Sequence, residues 1–146
     1  MHASQSAIRN HQKEKMEALR NAVLNAALPN APDDDLQLMF LDFVDTFTTW
    51  HLRILRFYND PERWGGEKGY AYSVLSLKSS PCFLEEIFPD LKGRHSFYEQ
   101  IIKDLVAHGL IGSEVLAATQ FKIDFANAGI TDLGNKLIRF ITSPLQ

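Results

Sequence analysis

Five histidines and one cysteine are the residues of this sequence whose chemistry is most often catalytic or metal-binding. The histidines stand at positions 2, 11, 51, 95 and 108, and no two have the short spacing that lets imidazoles share a metal. His51, within "TWHL", falls at the start of a predicted helix beside an apolar face, which favours a hydrogen-bonded structural role over a general base. No serine–histidine–aspartate order is recognisable. The histidines therefore predict no metal site and no catalytic base.

Cys82 lies in the first turn of a predicted helix, where the helix dipole favours the thiolate. The nearest basic residue in sequence is Lys78 and no histidine is adjacent, so a buried structural cysteine is favoured over a nucleophile. A single cysteine also excludes an internal disulfide, which fits a reducing cytoplasm.

Two acidic patterns have a structural and a functional interpretation each. The run Asp33, Asp34 and Asp35 favours a helix N-cap with extra negative charge at the positive end of the dipole. A metal site is disfavoured because consecutive acids do not converge on one ion. Asp42 and Asp45 are interpreted as solvated surface rather than as a catalytic carboxylate pair.

The glycine-rich segment "PERWGGEKGYAY" is interpreted as a surface connection. It lacks the P-loop pattern and the strand–GxGxxG–helix context in which glycines cradle a phosphate. With no catalytic constellation elsewhere, we predict a protein that is not an enzyme and that has no cofactor.

The chain is weakly acidic, with a net charge of −3 that is unevenly spread. Residues 1–30 carry a net +2, residues 31–60 a net −4, and residues 94–146 balance. No segment is the basic field that attracts a phosphate backbone. No apolar run approaches the roughly 18–20 residues of a membrane span, and the first fifteen residues lack the apolar core of a signal peptide. We expect a cytoplasmic protein without membrane association.

Apolar residues at helical spacing predict three helices in the first sixty residues. "EKMEALRNAVLNAAL" places Met16, Leu19 and Val23 on one stripe. "LQLMFLDFVDTF", residues 36–47, predicts the central and most buried helix. "TTWHLRILRFYNDP" predicts a third, which stops at residues 59–61.

The first of these helices needs a partner, because an isolated amphipathic helix is marginal in water. We expect residues 13–28 to dock through the stripe on helix 36–47 or on a second copy of the chain. Residues 1–12, which are poor in large aliphatics, are expected to project.

The C-terminal half combines helical signals with strand periodicity. "SFYE" predicts a capping box, in which Ser96 covers the helix end and Glu99 reaches back. Gly109 suits the left-handed position after that helix. "FKIDF", residues 121–125, alternates apolar and polar residues as a strand does. Thr131 is expected to cap a last helix.

Three helices, a short strand at residues 110–111, a hairpin and a closing helix follow one another, which is the winged-helix order. The predicted fold class is therefore mainly α with a small β-hairpin, a winged-helix-like core with extra N-terminal helices. We expect a single domain over residues 1–146, with an N-terminal helical arm at 1–28 and the core at 33–146.

Two segments resemble the MarR and PadR type of winged helix. In those proteins a helix ending "…L…GLI" leads into a wing, and an "…LT..G..L" segment begins the closing helix. Here the corresponding segments run from Leu105 to Ile111 and from Ile130 to Leu137. The first, second and recognition helices that the resemblance implies are residues 50–58, 81–88 and 97–108.

A second resemblance joins "ALRNAVLNAAL" to "TTWHLRILRFYNDP", a pairing similar to one in bacterial proteins without an assigned activity. It implies no activity for this chain. Because those relatives are longer at the N-terminus, we expect this chain to be a C-terminal piece of a larger protein.

The winged-helix resemblance implies DNA contacts around helix 97–108. Gln100 would pair with adenine and Lys103 with guanine. The full set of candidate DNA contacts is Lys92, Arg94, His95, Ser96, Gln100 and Lys103. However, residues 112–129 carry only one lysine, against one glutamate and one aspartate, where DNA-binding members carry basic residues in the wing. The charges therefore disfavour nucleic acid.

The function expected from the sequence is a non-enzymatic interaction domain that binds a protein partner or a second copy. The contact surfaces would be the N-terminal helix and the apolar wing. The candidate interface residues are Met16, Leu19, Val23, Val115 and Leu116. The alternative is a sequence-specific DNA-binding regulator that uses helix 97–108.

Overall fold

The computed structural model describes residues 2–60, 80–113 and 129–145, and this part of the chain is mainly helical, as expected. The helices are α1 (His2–Ala26), α2 (Asp34–Thr46), α3 (Thr49–Asn59), α4 (Ser80–Ile87), a 3-10 turn (Pro89–Leu91), α5 (His95–Ala107) and α6 (Asp132–Phe140). No helix among these residues is both long enough and apolar enough to cross a lipid bilayer.

The chain forms two compact units. Unit 1 comprises Met1–Arg53 and Lys136–Gln146, and unit 2 comprises Ile54–Asn135. Helices α3 and α6 each contribute residues to both units. The boundary between an arm and a core expected near residues 28–33 falls inside unit 1, and it stays a prediction.

Helix α1 packs on α2 within unit 1. Its buried face is formed by the small side chains of Ala18 and Ala22, both fully buried. The expectation that the stripe of Met16, Leu19 and Val23 packs on helix 36–47 of the same chain is wrong, since Met16 is 64% exposed and Val23 is 68% exposed. The alternative, that the stripe docks on a second copy, stays a prediction. Alanine lets the two helix backbones approach, because interaxial distance follows side-chain size. The larger apolar residues therefore point outward.

The docked part of α1 also begins earlier than residue 13. The helix is continuous from His2, and the carbonyl oxygen of His11 accepts a hydrogen bond from the Thr49 hydroxyl at 3.0 Å. Contact with the rest of unit 1 is therefore established at His11, inside the segment that the sequence predicted to project.

Two asparagines on α1 cap the C-terminal end of α6. Asn25 Nδ2 donates to the carbonyl oxygens of Phe140 and Thr142, both at 2.8 Å, and also lies 3.3 Å from that of Arg139. Asn21 Nδ2 donates to the carbonyl oxygen of Ile141 at 3.1 Å. The last carbonyls of a helix have no partner within the helix. These two amides supply the missing donors, so the inner face of α1 needs polar residues as well as small ones.

Helix α2 begins as the sequence predicted. Asp33 is the N-cap, and its Oδ1 accepts a hydrogen bond from the backbone N–H of Leu36 at 2.9 Å. Asp34 and Asp35 occupy the first turn, where negative charge is favourable. The interpretation of the acidic run as a cap is confirmed.

The expectation that residues 36–47 form the most buried helix is wrong. Within α2 itself only three residues are buried, namely Phe40, Phe43 and Val44. In α3, eight of the eleven residues are buried, on every side of the helix. Charged residues at regular intervals keep one side of α2 in solvent, whereas α3 carries only the half-buried Arg53 and Arg56.

In unit 2, α5 ends in a Schellman motif at Gly109, as the sequence predicted. Gly109 has a φ of 74°, its N–H donates to Val106 at 3.0 Å, and the N–H of Leu110 donates to Leu105 at 3.0 Å. Leu105 and Leu110 are fully buried, which completes the hydrophobic contact of this motif.

The start of α5 differs from the predicted capping box. The helix begins at His95, and the cap residue Arg94 makes no side-chain cap bond. Ser96 therefore lies inside the first turn rather than at the cap. Glu99 does not reach back to the helix end; its carboxylate faces His95 and Lys103 instead.

An antiparallel bridge joins Ile111 to Ile130. Flanking hydrogen bonds run from Gly112 N–H to Gly129 and from Thr131 N–H to Leu110, both at 3.0 Å. This pairing places residues 110–112, which follow α5, beside residues 129–131, which precede α6. The strand predicted at residues 121–125 lies outside the described residues, so the hairpin stays a prediction.

Thr131 caps α6, since its Oγ1 accepts from the N–H of Gly134 at 3.0 Å and donates to the carbonyl of Gly109 at 2.6 Å. Gly134 itself allows a close approach. A Cβ added there would lie 2.2 Å from the carbonyl oxygen of Leu110 and 2.6 Å from Cγ1 of Ile130. Only glycine therefore allows the first turn of α6 to pack this closely against the backbone of Leu110.

Asn25→Ala should lower the free energy of unfolding by about 1–2 kcal/mol, because part-buried carbonyls lose their donor. Urea denaturation followed by circular dichroism measures the loss. The matched control is Asn10→Ala, an exposed asparagine of the same helix, which should stay within about 0.5 kcal/mol of the wild type. Equal losses in both variants would contradict the cap.

Gly134→Ala tests the close approach of α6. Helix propensity alone would favour alanine by about 1 kcal/mol. We expect the clash with a backbone carbonyl to outweigh this and to give a net loss of about 1–3 kcal/mol in unfolding free energy. Asn135→Ala, one residue further along the helix, is the control. A stabilised Gly134→Ala variant would show that the backbone can separate there at no cost.

Candidate protein-interaction surface

The candidate DNA contacts lie at the N-terminus and on one face of α5, in unit 2. Lys92, Arg94, His95 and Ser96 are exposed around the start of the helix, and Gln100 and Lys103 are exposed along it. The structure therefore brings the candidate DNA contacts to one region, as the recognition-helix interpretation requires.

The polar groups of this region are engaged with their neighbours. Glu99 lies between two cations, 3.5 Å from His95 Nδ1 and 3.7 Å from Lys103 Nζ. Gln100 Nε2 donates to Asp104 Oδ1 at 2.9 Å. In a complex with a DNA duplex, the Glu99 carboxylate would lie close to the phosphates. Its repulsion from them would offset the attraction between Lys103 and the same phosphates.

Arg94 is also occupied, because its guanidinium lies 4.0 Å from the centre of the Phe97 ring. A cation over an aromatic face is held by the ring quadrupole and is less available to a phosphate. Lys92 is thus the exposed basic residue of this region without such a contact among the described side chains.

His51 has a structural role at the start of α3. The backbone N–H of Thr48 donates to His51 Nδ1 at 3.2 Å, and the Thr48 hydroxyl lies 2.8 Å from the same nitrogen. The His51 N–H in turn lies 3.5 Å from Thr48 Oγ1. Histidine here takes the place that glutamate or glutamine has in a capping box. The ring also stacks on Phe47 with centroids 4.9 Å apart, so it is held from two sides.

A cleft of about 380 Å³ lies in unit 1 between the α1–α2 connection and α6. Its lining includes Asn25, Asp33, Lys136 and Arg139. Asn25 and Asp33 already form hydrogen bonds in the caps of α6 and α2. The lining of the cleft therefore contains both acidic and basic residues, but no group of free hydrogen-bond donors that point to one place. No group of three histidines, cysteines or carboxylates suited to a metal occurs in the described parts of the chain.

The outer face of α1 is a different kind of surface. Arg9, Lys13, Met16, Arg20 and Val23 follow one another at intervals of four, three, four and three residues, and all five are exposed. This spacing places them on one side of a helix, opposite Ala18 and Ala22. We call these five residues the α1 stripe. Leu19 lies beside it and is half-buried.

The cations of the α1 stripe have no partner among the residues that the structure describes. Arg9, Lys13 and Arg20 form no ion pair or hydrogen bond with any side chain or backbone group that the structure describes. The charged residues on the inner edge of the same helix behave differently. Glu14 pairs with Arg53, and Lys15 Nζ donates to the carbonyl oxygen of Asp45 at 2.8 Å.

An acidic counterpart lies on the outer face of α2. Asp34, Asp35, Leu38, Asp42 and Asp45 are exposed on one side of that helix, and Leu38 is 67% exposed. We call them the α2 stripe. The carboxylates of its four aspartates form no ion pair or hydrogen bond with a described residue, whereas Asp33 is used as the cap.

Sequence reasoning found only half of this arrangement. Met16 and Val23 are candidate interface residues and are exposed, whereas Leu38 is exposed although it belongs to the helix that the sequence predicts to be the most buried. The sequence does contain a signal that Leu38 is exposed. Asp34 stands four residues before it, and Asp42 and Asp45 stand four and seven residues after it, so all three share its side of the helix. Val115 and Leu116, the candidate interface residues of the wing, lie outside the described residues.

Comparisons of the chain with protein-family models, with curated proteins and with solved structures gave no match in any of the three. The resemblance to the MarR and PadR type therefore stays a prediction, and the function has to be argued from the surfaces themselves.

A gel-shift measurement tests the α5 region as a DNA contact. We expect no retention of random-sequence duplexes at micromolar protein and about 50 mM salt, where attraction to phosphate is strong. The physical reason is the acid at the centre of the face and the local contacts of its cations. Retention that is lost in Lys103→Ala and kept in Lys136→Ala, a lysine of another helix, would instead support the recognition-helix interpretation.

Proposed function

We propose that this chain is a non-enzymatic helical interaction domain that binds protein through the α1 stripe. The observation that carries the proposal is the combination of exposed apolar side chains with cations that have no partner within the described chain. Met16 and Val23 are each about two-thirds exposed, and Arg9, Lys13 and Arg20 alternate with them.

The composition of the α1 stripe defines what it can bind. Methionine is flexible and polarisable, so it adapts to the surface of a partner. The cations around it favour a partner that presents acidic residues beside an apolar centre, and helix-in-groove or helix-on-helix contacts use this spacing. Loss of water from apolar side chains contributes affinity, while the charges select the partner.

The proposal includes a winged-helix-like core as the support of this surface. The order α3, α4, α5, the bridge between Ile111 and Ile130, and α6 is compatible with that fold. A contribution of the wing through Val115 and Leu116 is a further part of the proposal. DNA binding is the weaker alternative because the cations near α5 are locally engaged.

A synthetic acidic amphipathic helix, with glutamates flanking a leucine on one face, provides a probe. Fluorescence anisotropy of the labelled peptide should show binding to the wild-type chain at low salt. Met16→Glu should weaken binding by at least about tenfold, because it adds an acid at the centre of the contact.

Leu145→Glu is the matched control, since Leu145 is also a large exposed apolar residue but is not on α1. It should bind the probe like the wild type. Equal binding of the probe by wild type and Met16→Glu, or no binding at all, would overturn the proposed function.

A further inference from the structure

The α1 stripe and the α2 stripe have matching patterns. In α1, Lys13, Met16 and Arg20 form a cation–apolar–cation series with intervals of three and four residues. In α2, Asp35, Leu38 and Asp42 form an acid–apolar–acid series with the same intervals. At about 1.5 Å of rise per residue, both series span about 10 Å along a helix axis.

We propose that the partner of the α1 stripe is the α2 stripe of a second copy of this chain, with the two helices antiparallel. The proposal rests on the proposed function, in that it uses the same face of α1, and it names the partner.

The antiparallel orientation follows from the longer pattern. With Met16 placed on Leu38, residues equally far before Met16 and after Leu38 lie opposite each other. Lys13, three residues before Met16, then lies within one residue of Asp42, four residues after Leu38, and seven residues out Arg9 faces Asp45. On the other side Arg20 faces Asp34 and Asp35, and Val23 faces the half-buried Ala31. Every cation of the α1 stripe meets an acid. A parallel arrangement would instead place Val23 opposite Asp45.

The contact has to be between copies. Within one copy, α1 and α2 pack through their inner faces, and both stripes lie opposite those faces. A pair of α1 stripes cannot serve, because three cations would oppose three cations. Because the two stripes of one copy lie on opposite sides of the α1–α2 pair, the contact is head to tail. The α1 stripe of one copy meets the α2 stripe of the next, and the free stripes at the two ends can bind further copies.

Sedimentation equilibrium of the full chain tests the association. At low salt we expect a mean mass above the 16.6 kDa of the chain that rises with protein concentration. The association should weaken as salt is raised, because the charges are at the surface and are screened.

A charge exchange tests the partner and the register. One variant carries Arg9→Glu and Lys13→Glu, and the other carries Asp42→Lys and Asp45→Lys. The new acids lie in the first half of α1 and the new lysines in the last half of α2, so neither opposes its helix dipole. Each variant alone should associate at least about a hundredfold more weakly than the wild type, because like charges then face each other.

An equimolar mixture of the two variants should associate again, because every α1 stripe to α2 stripe contact between unlike variants joins opposite charges. The control pair is Lys92→Glu and Asp90→Lys, exposed residues of unit 2, which should each associate like the wild type. Thermal melting by circular dichroism confirms that every variant is folded. Folded variants that fail to combine would overturn the self-docking and its register.

The outcomes also separate this inference from the proposed function. A wild-type chain that is monomeric at millimolar concentration and low salt, but still binds the acidic probe peptide through Met16, overturns the self-docking and leaves the proposed function standing. Failure of both measurements overturns both. A monomer that binds phosphatidylserine vesicles, and loses this in the Arg9→Glu, Lys13→Glu variant, would assign the α1 stripe to an anionic lipid surface instead.

Discussion

The hydrogen bonds from Asn21 and Asn25 to the end of α6 determine how unit 1 is built. Asn25 donates to the carbonyl of Phe140, the last residue of α6, and the two asparagines together donate to those of Ile141 and Thr142 just after it. The carbonyls of Leu137, Ile138 and Arg139 accept instead from Ile141 and Thr142. The two asparagines are four residues apart and therefore share a face of α1 with Ala18 and Ala22. Once this face is turned inward, the rotation of α1 about its axis is set.

The exposed surface of unit 1 is a consequence of that rotation. Met16 and Val23 lie opposite the asparagines, so a helix that satisfies the end of α6 cannot also bury its larger apolar residues. Burial of those two side chains would have contributed stability through the hydrophobic effect. Their exposure among three cations that have no partner among the described residues distinguishes this face from the polar face of α5, where the charges pair within the helix.

In unit 2 the packing of α5 and α6 depends on two glycines, whereas in unit 1 the packing of α1 and α6 depends on asparagine side chains. Gly109 turns the chain out of α5, and Gly134 lets the first turn of α6 rest on the carbonyl of Leu110. The Thr131 hydroxyl links both, since it caps α6 and donates to Gly109. On the polar face of α5, the side chains pair within one helix, with Glu99 near His95 and Lys103 and with Gln100 donating to Asp104.

Local signals in the sequence determined the elements and several of their ends. Asp33 as a cap, Gly109 as a left-handed stop and Thr131 as the start of α6 were all predicted, because each depends on residues within a few positions of one another. The rotation of α1 was not predictable in this way. An apolar stripe indicates a face of a helix that can be buried. In α1 the face with Asn25 is turned inward instead, because the carbonyls of Arg139, Phe140 and Thr142 lie opposite it, and these residues are more than a hundred positions away in sequence. The exposed α1 stripe, and with it the candidate interface, was therefore decided by the tertiary structure.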